Sequence, residues 1–305
     1  MLEIVSAEEA SLDPFMSVAT PYAPQLSEYV DSLLDAGRTR PAWCLVALDG
    51  GVPVARAALW STGDAPTDVV VIDGDWDEPG AANAVLVHAQ GLAAALGARE
   101  LMHHLDTPPG PPQYQENGDA RARFLSDAGY DLLRDGLRWR HAGTSSETSL
   151  SSLAFRGLPD VGEEAFVEVI AATYEGTPDT WLTQEIEERG LLGAARADFD
   201  AYREMEYQPG WWELGYAQDG SVAGVIMAAK IPGAAVIGYV GVTPPHRGRG
   251  LAAELVRRGT HHLVAAGEDE IRGDCDRGNV PMVKAFERAG YETFARRRSY
   301  RRTLP

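Results

Sequence analysis

The sequence has few cysteines, few basic residues for its acids, and no long apolar run. Cys44 and Cys275 are its two cysteines, too few and too far apart for a disulfide framework. Lysine and arginine total 27 against 45 acids, a net charge of −18. So acidic a chain has no general attraction for nucleic acid or an anionic membrane; the charge either draws a cationic substrate in or serves solubility. No apolar stretch nears the ~18 residues that span a bilayer. Met1-Leu2-Glu3-Ile4-Val5 lacks the charged and apolar regions of a signal peptide, so the cytoplasm is the expected location. What remains is ordinary folding material, 305 residues with 45% apolar content, enough for two domains.

One stretch organises the rest. Val236, Gly238, Val240 and Val242 alternate with Ile237, Tyr239 and Gly241, which predicts a strand. Thr243-Pro244-Pro245 ends it, because proline has no N–H for a sheet ladder. Ala252, Leu255, Val256, Gly259 and Leu263 recur at helical spacing, so a helix starts near Gly250. Between them lies Arg247-Gly248-Arg249-Gly250. The glycines permit a tight turn with bare amides. Those amides stand at a helix N-terminus, where aligned peptide dipoles favour an anion. Arg247 and Arg249 add forked donors matched to phosphate. The unit reads as a pyrophosphate cradle.

The remaining segments fall into two similar series. In the first, strands are expected at 2–5, 43–48, 52–60, 69–72, 101–105 and 132–140, and helices at 21–34, 81–96 and 121–128. After the linker-like composition of 142–150 the order repeats. Strands are expected at 153–155, 212–217, 222–229, 236–242, 271–275 and 293–301, and helices at 163–174, 179–205, from 250, and 281–289. Trp43-Cys44-Leu45 matches Trp212-Glu213-Leu214, and Asp127-Ala128-Gly129-Tyr130 matches Arg288-Ala289-Gly290-Tyr291. Trp139-Arg140 falls where Tyr300-Arg301 falls. The chain therefore reads as a tandem duplication, 1–141 and 151–305, joined by 142–150. In the first half the loop position holds Asp77-Glu78-Pro79-Gly80-Ala81-Ala82. Asp73, Asp75, Asp77 and Glu78 crowd the place of a pyrophosphate, so that half is expected to bind it weakly or not at all.

Arg247-Gly248-Arg249-Gly250-Leu251-Ala252 resembles the coenzyme A loop of the GNAT acyltransferases. Asn279-Val280-Pro281-Met282, followed by a helix and Gly290-Tyr291, resembles that family's closing motif. The resemblance is strong over 152–305 and weak over 1–141. It implies an α/β (α+β) fold of two GNAT-like domains. Each would be a mixed, mostly antiparallel sheet flanked by helices, with a splayed strand pair. It also implies an N-acyltransferase that moves an acetyl group from acetyl-CoA, without a metal, to a small amine. The implied cofactor contacts are Val240, Gly241, Val242, Arg247, Gly248, Arg249, Gly250, Leu251, Ala252, Asn279, Met282 and Phe286.

The catalytic groups stay open. Many members of that family carry a proton-donating tyrosine where this chain has Phe286, and a glutamate on the signature strand, where this chain has none. Candidate bases are Glu213, Asp274 and Asp276. Tyr239 either donates a proton or packs; Cys275 is either an acid or nucleophile or a core residue. His246 either meets phosphate or is solvated. The acids of 173–206, with Trp181, Tyr202, Trp211 and Trp212, form either a site for an amine or a solvated face over core aromatics. The basic end, Arg296-Arg297-Arg298 and Arg301-Arg302, either meets the 3′-phosphate or balances local acids. A coenzyme A-binding protein without turnover, or a GNAT fold using another acyl-CoA, are the alternatives to the acetyltransferase reading.

Overall fold

The computed structural model describes residues 2–143, 151–177, 180–231 and 233–305. Most of the expected linker and Asp179 lie outside them. The strands, in chain order, are β1 (Leu2–Ser6), β2 (Cys44–Asp49), β3 (Val52–Trp60), β4 (Asp68–Asp73), β5 (Glu100–Thr107), β6 (Asp131–His141), β7 (Ala154–Gly157), β8 (Trp212–Tyr216), β9 (Val222–Ile231), β10 (Ala234–Val242), β11 (Ile271–Asp276) and β12 (Glu292–Thr303). The helices are α1 (Ala7–Ala10), α2 (Asp13–Met16), α3 (Ala23–Asp35), α4 (Gly80–Ala95), α5 (Gly118–Asp127), α6 (Leu158–Val161), α7 (Glu163–Tyr174), α8 (Thr180–Arg203), α9 (Leu251–Ala265) and α10 (Val280–Arg288). These bounds follow the periodicity of the sequence closely. Among the described residues no helix is long and apolar enough to cross a membrane.

Two compact units divide the chain, Met1–Arg134 with Arg297–Pro305, and Asp135–Arg296. The sheet of the first runs β1-β2-β3-β4-β5 and is completed by β12; that of the second runs β6-β11-β10-β9-β8-β7. Sequence repeats and compact units are thus not the same cut. Residues 135–141 pair antiparallel with β11, from Asp276↔Gly136 to Ile271↔His141, while 297–305 go to the first unit.

The first unit packs α4 on its sheet through Ala82, Val85, Leu86, Ala89 and Ala93, at helical spacing on one face. Small side chains let helix and sheet approach closely. In the second unit α9 lays Ala253, Leu255, Val256, Gly259 and Leu263 on the sheet. Leu255, Val256 and Leu263 are wholly enclosed, a contribution of about 1.5–3 kcal/mol each. Helix α7 packs on β9 and β10 with Phe166 and Ile170 enclosed. Helix α8 is broken at Gly190, whose φ of 72° and ψ of 165° leave the helical region.

Backbone crowding between β9 and β10 fixes one glycine. A Cβ built on Gly224 falls 2.3 Å from the Gly241 carbonyl oxygen and 2.8 Å from a Leu255 methyl. Backbone cannot yield as a side-chain tip can. Gly224→Ala is therefore expected to cost about 1–3 kcal/mol, read as a lower Tm in calorimetry; an unchanged Tm would mean that this strand pair gives way freely.

Candidate active site

The second unit contains a split in its sheet. Strands β10 and β11 run parallel and pair only at Ala235↔Ile271 and Val236↔Arg272. Beyond that, β10 stays with β9 as far as Val242↔Gly224, and β11 stays with β6. The two strands separate, and a slot opens between 237–242 and 273–276. A bulge sits at the start of the split, where Ile237 faces Ala228 and Tyr239 faces Met227, leaving Gly238 as the extra residue. A bulge re-aims the side chains that follow it. Ile237 lies against α9, because a Cβ on Gly259 would meet its methyl at 3.0 Å. Tyr239 instead faces α7, its Oη 2.5 Å from Thr173 Oγ1. Two residues that regular pleating would put on one face lie on opposite faces.

The Arg–Gly loop follows at the end of β10. Pro244–His246 make a single 3₁₀ turn. Gly248 and Gly250 then take φ of 77° and 81°, a left-handed conformation that favours glycine. Gly250 caps α9. The Arg247 N–H closes on Pro244 O and the Ala253 N–H on Gly250 O; among the described residues the amides of Gly248, Arg249 and Gly250 make no such turn bond. Bare amides at the start of a 15-residue helix are a physical anion site.

The structure separates the two arginines. Arg249 is exposed and has no partner among the described residues. Arg247 is already engaged, with Nη1 to Glu175 O, Nη2 to Thr173 O and Nε to Val242 O. A cation missed in the sequence reading lies near the loop, Arg288 on α10, whose Nη1 is 3.7 Å from a Cβ built on Gly250. Its carbonyl accepts from Arg257 Nη1 at 3.0 Å. Only the packing of α10 on α9 brings it there, and no local pattern announces it.

Other expected contacts change place. Val240, Val242, Leu251, Ala252 and Met282 are half-buried and Gly241 is buried. Asn279 Oδ1 accepts the Met282 N–H and so caps α10. Phe286 is 1% exposed, stacked on Trp139 at 5.6 Å and edge-on to Tyr291; its ring is core and cannot touch a cofactor. His246 is also buried, with Nε2 2.9 Å from Ser221 Oγ; it is neither solvated nor in the cradle. The basic end is spent on internal partners, Arg296 on Asp135, Arg297 on Asp106, Arg298 on Gly118 O and Arg302 on Gly129 O.

The candidate bases are not brought together. Glu213 is enclosed on the α9 side, where Arg258 Nε and Nη2 donate at 2.6 and 2.8 Å and His262 Nε2 lies at 2.7 Å. Burial pushes its pKa up, but the hydrogen bonds and charges of Arg258 and His262 outweigh that and hold it at about 2. Such a carboxylate is a poor proton acceptor, and it lies on the face opposite Tyr239. Asp274 is exposed and 3.5 Å from Arg138 Nε. Asp276 is buried at the end of β11, its carbonyl accepting the Asn279 N–H at 3.0 Å. Cys275 is buried and accepts from Trp139 Nε1 at 3.2 Å, a core position.

Of the aromatics near the acidic stretch, Trp211 and Trp212 are buried, and Trp212 stacks on Tyr207 at 4.1 Å. The Trp181 side chain lies outside the described residues. Tyr202 instead joins Tyr174 around Tyr239, with ring centroids 6.0 and 6.1 Å away. Tyr174 donates to Asp198; burial foremost, with Tyr239 and Asp198 adding to it, pushes its pKa far up, so it stays a neutral phenol. Glu185 pairs with Arg189, while Glu187 and Glu188 are exposed.

In the first unit's loop the amides are already engaged. Asp75 Oδ1 accepts from the amides of Asp77 and Glu78 at 2.9 and 3.4 Å. Asp73 is not a bare charge, because buried Arg56 and Arg121 both bond it. That corrects one of the four repelling acids expected there.

Residues 172–291 match the model of the Acetyltransferase (GNAT) family. That match covers less than half of the chain. A mycothiol acetyltransferase from Corynebacterium glutamicum is 42% identical over 52 residues, 17% of this chain and 18% of that protein. One from Gordonia bronchialis is 27% identical over 249 residues, 76% of this chain and 72% of that protein. The crystal structure of a GCN5-related N-acetyltransferase from Sphaerobacter thermophilus superposes with TM-score 0.54 at 16% identity, covering 99% of this chain and 96% of that one. That likeness shows the GNAT fold along the whole chain. Together these matches support an α/β protein of the GNAT superfamily.

The Glu213 cluster gives a signed pH dependence. Its folded pKa lies below its ordinary 4.5, so it stabilises above pH ~4.5 and that contribution fades as pH falls toward ~2. Glu213→Gln is expected to lower stability at pH 7 by about 1–3 kcal/mol. Denaturant titrations should show the gap to wild type narrowing between pH 4.5 and 3; a gap independent of pH would rule the charge out as its source.

Proposed function

We propose that the second unit binds acetyl-CoA in the slot between β10 and β11 and transfers the acetyl group to the nitrogen of a small amine. The observation that supports this best is the end of β10–β11 pairing after Val236 and Arg272, followed at the end of β10 by the Arg–Gly loop that opens α9. Pantetheine would take the place of the missing strand contacts. The Gly248–Gly250 amides, Arg249 and Arg288 would hold the phosphates, and the backbone near Val240 and Val242 would polarise the thioester carbonyl. The amine attacks that carbon directly, a C–N bond forms, the C–S bond breaks, and coenzyme A leaves as thiol or thiolate. Because relatives carry the name mycothiol acetyltransferase, a mycothiol-related amine heads the acceptor panel. We also propose that the first unit binds no cofactor.

An alkylamine of pKa ~10.4 is mostly protonated at neutral pH, and freeing its lone pair costs about 4–5 kcal/mol. With Glu213 tied up, Asp274 and Asp276 are the remaining carboxylate candidates for the base. A second reading, cofactor binding without turnover, draws on the enclosed Phe286 where the family has a proton donor. Thioester consumption across the amine panel separates the two.

Arg249→Glu is expected to weaken acetyl-CoA binding by more than tenfold, about 1.4 kcal/mol or more. Calorimetry should find one site per chain; two equal sites would sink the asymmetric reading. For the base, Asp274→Asn or Asp276→Asn should lower kcat with acetyl-CoA affinity nearly unchanged, because a base acts on the amine only as bonds change. The affected variant should lose the acidic limb of its pH–rate profile. Full turnover in both would leave the enzyme placing an already deprotonated amine beside the thioester.

A further inference from the structure

Arg247 opens the phosphate loop, yet its side chain serves another element. Nη1 donates to Glu175 O at 2.7 Å, Nη2 to Thr173 O at 3.0 Å and Nε to Val242 O at 3.2 Å. Thr173 lies in the last turn of α7 and Glu175 follows it. Carbonyls there have no partner inside the helix and carry its partial negative charge, so a guanidinium is well placed. Val242 ends β10. One cation therefore ties a helix end, a strand end and the loop.

Two further contacts converge on Thr173. Its hydroxyl donates to Ile170 O at 2.7 Å and lies 2.5 Å from Tyr239 Oη. Opposite it there is no space for a side chain, since a Cβ on Gly241 would fall 2.7 Å from Thr173 Oγ1. The end of α7 is thus pinned to β10 beside the split, and Tyr239, Tyr174 and Tyr202 gather on that same face.

We propose that Arg247 is a positioning residue that couples occupancy of the phosphate loop to the order of the last turn of α7, and through Thr173 to Tyr239 beside the split. The coupling rests on the acyl-CoA reading above. A ligand that fixes the loop fixes the base of the Arg247 side chain. The guanidinium then holds the α7 carbonyls more firmly, and opening of that turn becomes rarer. Arg249 lacks these bonds and would not transmit the effect.

Hydrogen exchange read by mass spectrometry on a peptide spanning 166–177 tests this with acetyl-CoA as the probe. In the wild-type chain, saturating acetyl-CoA is expected to slow exchange there at least fivefold. In Arg247→Gln the slowing should fall below twofold, while α9 still responds and calorimetric affinity stays within threefold; Arg247→Lys should recover part of it. Retained slowing in Arg247→Gln overturns the coupling. So does wild type that binds but shows no slowing, or Arg247→Gln losing affinity as Arg249→Glu does, which would make Arg247 a phosphate ligand. Wild type that fails to bind acetyl-CoA overturns the acyl-CoA reading and the coupling with it. The pin itself is then judged without ligand: exchange at 166–177 at least fivefold faster in Arg247→Gln upholds it, and unchanged exchange overturns it.

Discussion

Once β10 leaves β11 after Val236, the facing edges of both strands must find hydrogen-bond partners other than each other. Backbone N–H and C=O groups are rarely left unmet in a folded protein. A sheet that opens in its middle is therefore either wet or filled there. Both strands are fixed by other neighbours on either side of the split. The bulge at Gly238 turns Tyr239 away from α9 and onto α7. Gly241 lets α7 press against β10. On the other side, β11 is held by six residue pairs from Ile271↔His141 to Asp276↔Gly136, so neither strand is free to swing shut.

The charged groups around the split divide by whether their donors are already used. Arg247 has three carbonyl partners, and Arg249 has none among the described residues. Residue type alone makes them equal phosphate donors; geometry spends the donors of one on carbonyls, which is the ground for proposing the other as the phosphate contact. The same distinction removes Glu213 from the bases. Arg258 and the His262 hydrogen bond stabilise its ionised form, and a carboxylate so stabilised gains little by taking a proton from an amine.

What the sequence made legible is what depends on neighbours along the chain. Strand alternation, helical spacing and glycine stops located the signature strand, loop and helix, because those signals are local. What it hid depends on partners far away. Glu213 reads as a strand acid until Arg258 and His262, 45 and 49 residues on, fold over it. Arg296 and Arg297 read equally as phosphate ligands or as partners of acids, and the acids that decide between the two lie 161 and 191 residues upstream. The strands at 131–141 and 292–303 were visible as strands, while their sheet partners were not. Pairing is decided by which apolar faces meet, not by the alternation inside one strand.

The two units show how one loop geometry can hold opposite charge. In both, a strand runs through a glycine-containing turn into a helix that packs on the sheet. In the second unit, among the described residues, the amides of Gly248, Arg249 and Gly250 make no turn bond and Arg249 and Arg288 stand beside them. In the first unit Asp75 occupies the amides of Asp77 and Glu78, and the buried arginines are occupied by Asp73. An incoming phosphate would have to displace Asp75 and sit among Asp75, Asp77 and Glu78. At ~4 Å and an effective dielectric near 20, each such repulsion is about 4 kcal/mol. The attraction of a helix end, ~0.3–2 kcal/mol, does not offset one of them. Packing keeps the fold in both halves because α4 and α9 bury their faces whatever the loop carries; the loop's charge is what separates them, and it is the ground for proposing a single cofactor site.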